Sequence, residues 1–202
     1  ANRCDSSHVI KTFPGKDDVG LYLHMNTVER VNGDPMANSL QALSLKVGFK
    51  DKDIQNKKIM MPSKNIYVNL KTTAQMNELY NAADLNITTT FGEGAGLSLL
   101  EASATGTTSL APNNSAIPEM LGGNGILIPN VINGMVTQVF DNSFRRPNVD
   151  TLKFVEELNN QYLLWKKSGN KKIINKKAID MAKSKFQWKD KREWLSNVLK
   201  NS

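Results

Sequence analysis

Glu93 and Glu101 are two carboxylates with seven residues between them, and glycines at 92, 94 and 96 alternate around the first. The β-branched run Ile87 to Thr90 leads in, and an apolar, Ala-rich run follows. This pattern predicts a strand, a Gly-rich turn and a helix. Such a turn offers bare backbone N–H groups and a helix N-terminus, a natural seat for phosphate. Glu101, about two turns into the helix, can point back toward whatever the turn holds. On residue type alone, Glu93 reads equally as a solvated turn residue or a helix N-terminal charge. Glu101 reads equally as a surface residue of an amphipathic helix.

The elements that must position this stretch follow from periodicity. Gly20 to Met25 is a short apolar run, as expected of a buried parallel strand that encloses His24. Pro35 and Met36 open a predicted helix that Gly48 stops. Lys58 to Met61 and Ile66 to Asn69 read as strands. Thr72 or Thr73 caps a helix over 74–83, with Met76, Leu79 and Tyr80 on one side. Strand 84–90, helix 96–105, strand 107–111, a short helix at 115–121 and strand 125–129 follow. Strands alternating with helices imply βαβ units and a parallel sheet. Asn130 to Asn148 shows no clean period and reads as a loop with at most one short element. Beyond Asp150 the chain is helical: Phe154, Leu158, Tyr162 and Trp165 mark one buried face, and Lys171 to Lys185 forms a second, basic helix.

Composition bounds the rest. The 202 residues, 40% hydrophobic and 22% charged, suit a globular domain with one good core. No run approaches the roughly 18 apolar residues of a membrane span, and the start does not read as a signal peptide. The single cysteine, Cys4, excludes an internal disulfide and points to a reducing compartment. Residues 1–148 carry 13 basic and 13 acidic side chains, whereas 149–202 carry 13 basic and 6 acidic, which places the whole net charge of +7 in the last quarter. That excess reads as a solvated helical face, or as attraction to an anionic membrane surface or acceptor. No recognised motif for nucleic acid accompanies it. The expected location is cytoplasmic, with a peripheral membrane position as its variant.

The stretch Thr90 to Ala102 resembles the E-x7-E signature of retaining GT-B glycosyltransferases, the glycosyltransferase family 4-like or group 1 enzymes. Other landmarks stand in order around it. Tyr80-Asn81-Ala82-Ala83-Asp84 precedes the strand, and Gly106 to Ala111 supplies the next one. Asn113 to Glu119 takes the place of the family's Gly-Gly-x-x-Glu turn, with Asn113 and Asn114 at the glycine positions. Gly125 to Pro129 closes the run. The resemblance spans roughly Gly20 to Ser202 and implies an α/β fold: a Rossmann-like parallel sheet with flanking helices, one half of a GT-B fold, plus C-terminal helices. Its domain bounds would be 1–184 for the nucleotide-sugar-binding unit, with the first strand missing. Residues 185–202 would be a helix crossing toward an N-terminal domain outside this chain.

The resemblance also implies roles. The donor is a nucleotide diphospho-sugar, which serves as substrate, with no further cofactor and no metal. Glu93 is the catalytic-site carboxylate beside the donor sugar. Amides near Gly94, Ala95, Gly96 and Leu97 hold the distal phosphate, and Glu101 accepts hydrogen bonds from ribose hydroxyls, as an ionised carboxylate can. Arg3 neutralises the diphosphate. The lysine that usually follows that arginine is replaced by Ser6-Ser7-His8, and Ala95 and Thr108 depart from a common aromatic and a common proline. Glu119 either caps a helix or approaches the donor sugar. The implied reaction is transfer of a hexosyl unit to a hydroxyl acceptor with retention. Two alternatives stay open: a nucleotide-sugar epimerase of similar fold, and a nucleotide-sugar-binding module without turnover. A Rossmann dehydrogenase is disfavoured, because no G-x-G-x-x-G follows the first strand.

Overall fold

The computed structural model describes residues 18–24, 30–31, 34–35, 59–60, 72–138 and 144–200. Near the start, four two-residue strands appear: β1 (Leu21–Tyr22), β2 (Arg30–Val31), β3 (Asp34–Pro35) and β4 (Ile59–Met60). β1 pairs with β4 in parallel, and β2 with β3 antiparallel. Pro35 therefore lies in a strand and does not open a helix. The remainder of that expected helix, from Met36 to its stop at Gly48, and the expected strand at 66–69 lie outside the described residues. His24 is exposed just past β1, with its ring stacked 5.9 Å from that of Tyr22.

The central unit follows the predicted alternation. Thr72 caps α1 (Thr73–Ala82) through a capping box with Gln75, in which each residue's side chain accepts the other's N–H. Then come β5 (Leu85–Ile87), α2 (Leu97–Ala104), β6 (Thr108–Pro112), α3 (Ile117–Leu121) and β7 (Ile126–Ile128). β5, β6 and β7 form a parallel sheet with β6 in the middle, in the register Ile87↔Leu110↔Ile126. The two-residue alternation of strand side chains separates two cores. On one face Leu110 and Ile128 are buried with Val149, Phe154 and Leu158, and Leu21, Leu85, Ile87 and Ile126 pack against them. On the other, Ala111 is buried with Leu99 of α2 and Ile117 and Leu121 of α3, beside Leu127. Helices thus cover both faces, as the α/β reading requires.

The stretch expected to be a loop is instead an antiparallel hairpin of β8 (Asn130–Gln138) and β9 (Phe144–Val149). The pairing shifts register between Asn130 and Met135, where Asn133 takes a φ of +59°. That irregularity interrupts the two-residue alternation, which is why the sequence shows no clean period there. Beyond it, Asp150 caps α4 (Thr151–Lys167) by accepting the Lys153 N–H at 3.1 Å. Phe154 and Leu158 anchor α4 on the sheet, while Tyr162 and Trp165 are only half-buried. Tyr162 and Lys166 both bond to the Asp18 carboxylate, Lys166 at 2.6 Å, which holds that carboxyl below its ordinary range.

The basic helix starts later than expected. α5 spans Lys176–Lys185 because Asn175 caps it by accepting the Ala178 N–H. Residues 171–175 belong to no helix or strand, and Lys172 is drawn inward. α6 (Trp188–Lys200) closes the described chain. Among the described residues no helix is long and apolar enough to cross a membrane.

Candidate functional site

The Gly-rich turn sits between β5 and α2, where its shape is set by hydrogen bonds and one glycine. The Thr90 hydroxyl accepts the Gly92 N–H at 3.3 Å and donates to the Gly92 carbonyl at 3.0 Å. Glu93 is fastened through its backbone: its N–H donates to Ser115 Oγ at 2.8 Å, and its carbonyl accepts the Ala116 N–H at 3.4 Å. Gly94 and Ala95 are exposed, and a Cβ added at Gly94 would meet nothing within 4 Å. Gly96 then caps α2 with φ +56° and ψ +51°. That left-handed conformation costs a side-chain-bearing residue about 1–2 kcal/mol. A Cβ there would also lie 3.1 Å from Leu99 Cδ1.

The N-terminus of α2 has no side-chain cap. Among the described residues no acceptor meets the amides of Gly94, Ala95, Gly96, Leu97 or Ser98. Gly96 is buried, whereas Gly94, Ala95, Leu97 and Ser98 are exposed, so their N–H groups lie at the surface at the positive end of a helix dipole. Glu93, Gly94, Ala95, Gly96, Leu97 and Glu101 are therefore gathered in one turn and helix start, as the sequence predicts. Arg3 lies outside the described residues. One detail differs. α2 begins at Leu97, so Glu101 is its fifth residue, about one turn in and not two.

Glu101 is exposed, on the side of α2 away from the buried Leu99, Ala102 and Ser103. Its Oε2 accepts a hydrogen bond from the Tyr80 hydroxyl at 3.0 Å. Tyr80 is 8% exposed. Burial, and then the Glu101 carboxylate, push its phenol well above the ordinary tyrosine range. The Tyr80 backbone is held as well. Its carbonyl accepts the Thr107 hydroxyl at 2.7 Å and Lys172 Nζ at 2.9 Å. The same ammonium bonds to the Asn81 carbonyl and to Thr107 Oγ1. Lys172 thus caps the C-terminal carbonyls of α1, and burial lowers its pKa while Asp84 opposes that shift.

Three supporting residues escaped the sequence reading. Tyr80 stands in the sequence as part of an apolar helix face and as the start of the landmark before β5, with its hydroxyl as the one signal of a polar role. Lys172 stands 92 residues from the carbonyl it caps, so no local pattern marks it. Ser115 sits in the turn after β6 with φ +48°, whereas Asn113 and Asn114 do not have positive φ. The glycine-like backbone of that turn therefore falls at Ser115, not at the two asparagines. Asn113 instead accepts the Asn130 side-chain N–H at 2.7 Å, which ties the turn to β8. Glu119 is the third residue of α3 and exposed, a favourable place for a carboxylate beside a helix N-terminus. Among the described residues no three His, Cys, Asp or Glu side chains gather as a metal-ligand set.

No curated protein matches the chain. The family model described as glycosyl transferases group 1 matches residues 35–140, which is more than half of the 202 residues and contains α1, the turn, α2 and the parallel sheet. With its parallel sheet flanked by helices and this match, the chain belongs to the group 1 glycosyl transferases, with a GT-B-type domain and a role in glycosyl transfer.

Proposed function

We propose that this chain is the donor-binding half of a retaining GT-B glycosyltransferase. It binds a nucleotide diphospho-sugar without metal and passes a hexosyl unit to a hydroxyl acceptor with the anomeric configuration kept. The observation that supports this most is the pairing of uncapped amides at the exposed residues 94, 95, 97 and 98 with one carboxylate at each end of the same turn and helix start. The amides and the α2 dipole receive the distal phosphate and stabilise the departing diphosphate. Glu93 faces the donor sugar and Glu101 the ribose. Tyr80 occupies one lobe of Glu101 and leaves acceptor capacity on the other oxygen. On this reading α6 meets the companion domain through Trp194, Leu195, Val198 and Leu199, all exposed here.

Calorimetric titration with UDP, GDP and ADP, without divalent metal, tests the reading. Selective binding of one nucleotide, weakened in Glu101→Ala, is the expected result. Equal binding of all three, unaffected by the substitution, would show that the turn is not a nucleotide site.

A further inference from the structure

The segment that builds the turn carries no positive charge of its own. From Thr72 to Phe144 the sequence holds six acidic side chains and not one lysine or arginine. A diphosphate seated between Glu93 and Glu101 meets two like charges, and helix amides supply only partial positive charge against them. A full cation has to come from outside this segment, and Arg3, to which the resemblance gives that task, lies outside the described residues.

The β8–β9 hairpin brings one. Arg146 on β9 pairs in register with Val136 on β8. Its Nη1 lies 3.7 Å from the point a Cβ on Gly92 would occupy, and Ser115 Cβ and Oγ lie at the same distance from that point. The guanidinium therefore rests against the turn immediately before Glu93, beside the serine that holds the Glu93 N–H. Arg146 is half-buried and its neighbour Arg145 is exposed, the alternation expected along a strand. The hairpin is anchored at its base: Asn130 pairs with Val149 and bonds to the Asn113 carbonyl, and the Asp150 N–H donates to the Pro129 carbonyl at 2.9 Å.

We propose that Arg146 is a donor-binding residue that neutralises the diphosphate of the nucleotide diphospho-sugar, an inference that rests on the donor-site reading above. A guanidinium suits the task because it stays charged and offers a planar fork of donors to two phosphate oxygens. Its role is electrostatic, with no bond or proton exchanged at Arg146. The β8–β9 hairpin is then part of the site and not a surface excursion, since it carries the cation that the turn and both carboxylates lack.

The test compares wild type, Arg146→Ala, Arg146→Gln, Arg146→Lys, Arg145→Ala and Glu101→Ala in metal-free titrations with UDP, GDP and ADP. Circular dichroism and thermal unfolding report the fold of each. For whichever nucleotide wild type binds, Arg146→Ala and Arg146→Gln should weaken affinity by about tenfold or more. Arg146→Lys should recover part of the loss, and Arg145→Ala should stay within about twofold. Added salt should narrow the gap between wild type and Arg146→Gln. Wild-type affinity in folded Arg146→Gln would overturn the proposal, as would an equal loss in Arg145→Ala. If Glu101→Ala weakens binding while Arg146→Gln does not, the donor site stands and only the role of Arg146 falls. If wild type binds none of the three, the donor reading falls and takes this proposal with it.

Discussion

Glu93 and Glu101 are the same residue type on one short stretch, yet the fold holds them in opposite ways. Glu93 is fixed by its main chain, between Ser115 Oγ and the Ala116 N–H, and among the described residues no partner meets its carboxylate. Glu101 is fixed by its side chain, through the hydroxyl of a tyrosine that is itself tied down by Thr107 and Lys172. The first arrangement keeps a carboxylate available at a defined place in a turn. The second orients a carboxylate on a helix surface and keeps one oxygen occupied. A position is thus set for the first and a direction for the second.

The largest expected effect separates the two by ligand. Glu93→Gln should weaken binding of the whole nucleotide diphospho-sugar by about 10- to 150-fold, the loss of about 1.5–3 kcal/mol expected for a hydrogen bond to a charged group. It should leave the free nucleoside diphosphate almost untouched. Glu101→Gln should weaken both. Equal losses for both ligands in both variants, measured calorimetrically, would erase the proposed division of labour.

Next in size comes the hinge between them. Gly96→Ala should lower stability by about 1–2 kcal/mol, because a left-handed residue acquires a Cβ, and that Cβ would press on Leu99. Gly94→Ala, which meets nothing within 4 Å, should stay within about 0.5 kcal/mol. Urea unfolding of the pair decides this, and a matched loss would mean that the turn is held by something other than Gly96.

Tyr80→Phe addresses the direction of Glu101. It should cost about 1 kcal/mol at neutral pH, one buried hydroxyl bond. The pH dependence sharpens the test. The unfolded phenol titrates near pH 10, and the folded one titrates higher because it is buried beside a carboxylate. Stability from the neutral phenol is therefore complete below about pH 10 and drains away as pH rises above that value. The stability difference between wild type and Tyr80→Phe should be flat below about pH 10 and shrink above it. A difference that grows in alkali would contradict the burial-driven shift.

The smallest effect is at Ser115. Ser115→Ala loses the Glu93 bond but keeps the φ of +48°, so it should cost about 1 kcal/mol. Ser115→Gly loses the same bond and relieves the backbone, so its net change should be a few tenths of a kcal/mol. Thermal unfolding that ranks Gly below Ala would show that the left-handed backbone at Ser115 carries no strain.

Local patterns made much of this legible. The Thr72 cap, the alternation of Ile126, Leu127 and Ile128 between two cores, and the turn from Gly92 to Leu97 each lie within a few residues of their cause. The hairpin is not legible in the sequence because a register shift at Asn130 to Met135 removes the alternation by which a strand is read. The late start of α5 leaves no local trace, because Lys172 bonds to carbonyls on α1 and Asn175 caps the helix behind it. The expected glycine positions, Asn113 and Asn114, were displaced to Ser115 because φ is a property of the folded turn and not of residue type alone.

The sequence by itself determined the order of elements from α1 to β7, the parallel α/β sheet and the place of the two carboxylates, because hydrophobic period, caps and glycines act within one or two turns of chain. The tertiary structure alone decided which groups hold those carboxylates, that Ser115 grips Glu93, that Tyr80 and Lys172 stand behind Glu101, and that Arg146 leans on Gly92. Those contacts join residues 21 to 92 positions apart. Only the packing of helices and a hairpin around one sheet brings such residues together, and no local period records it.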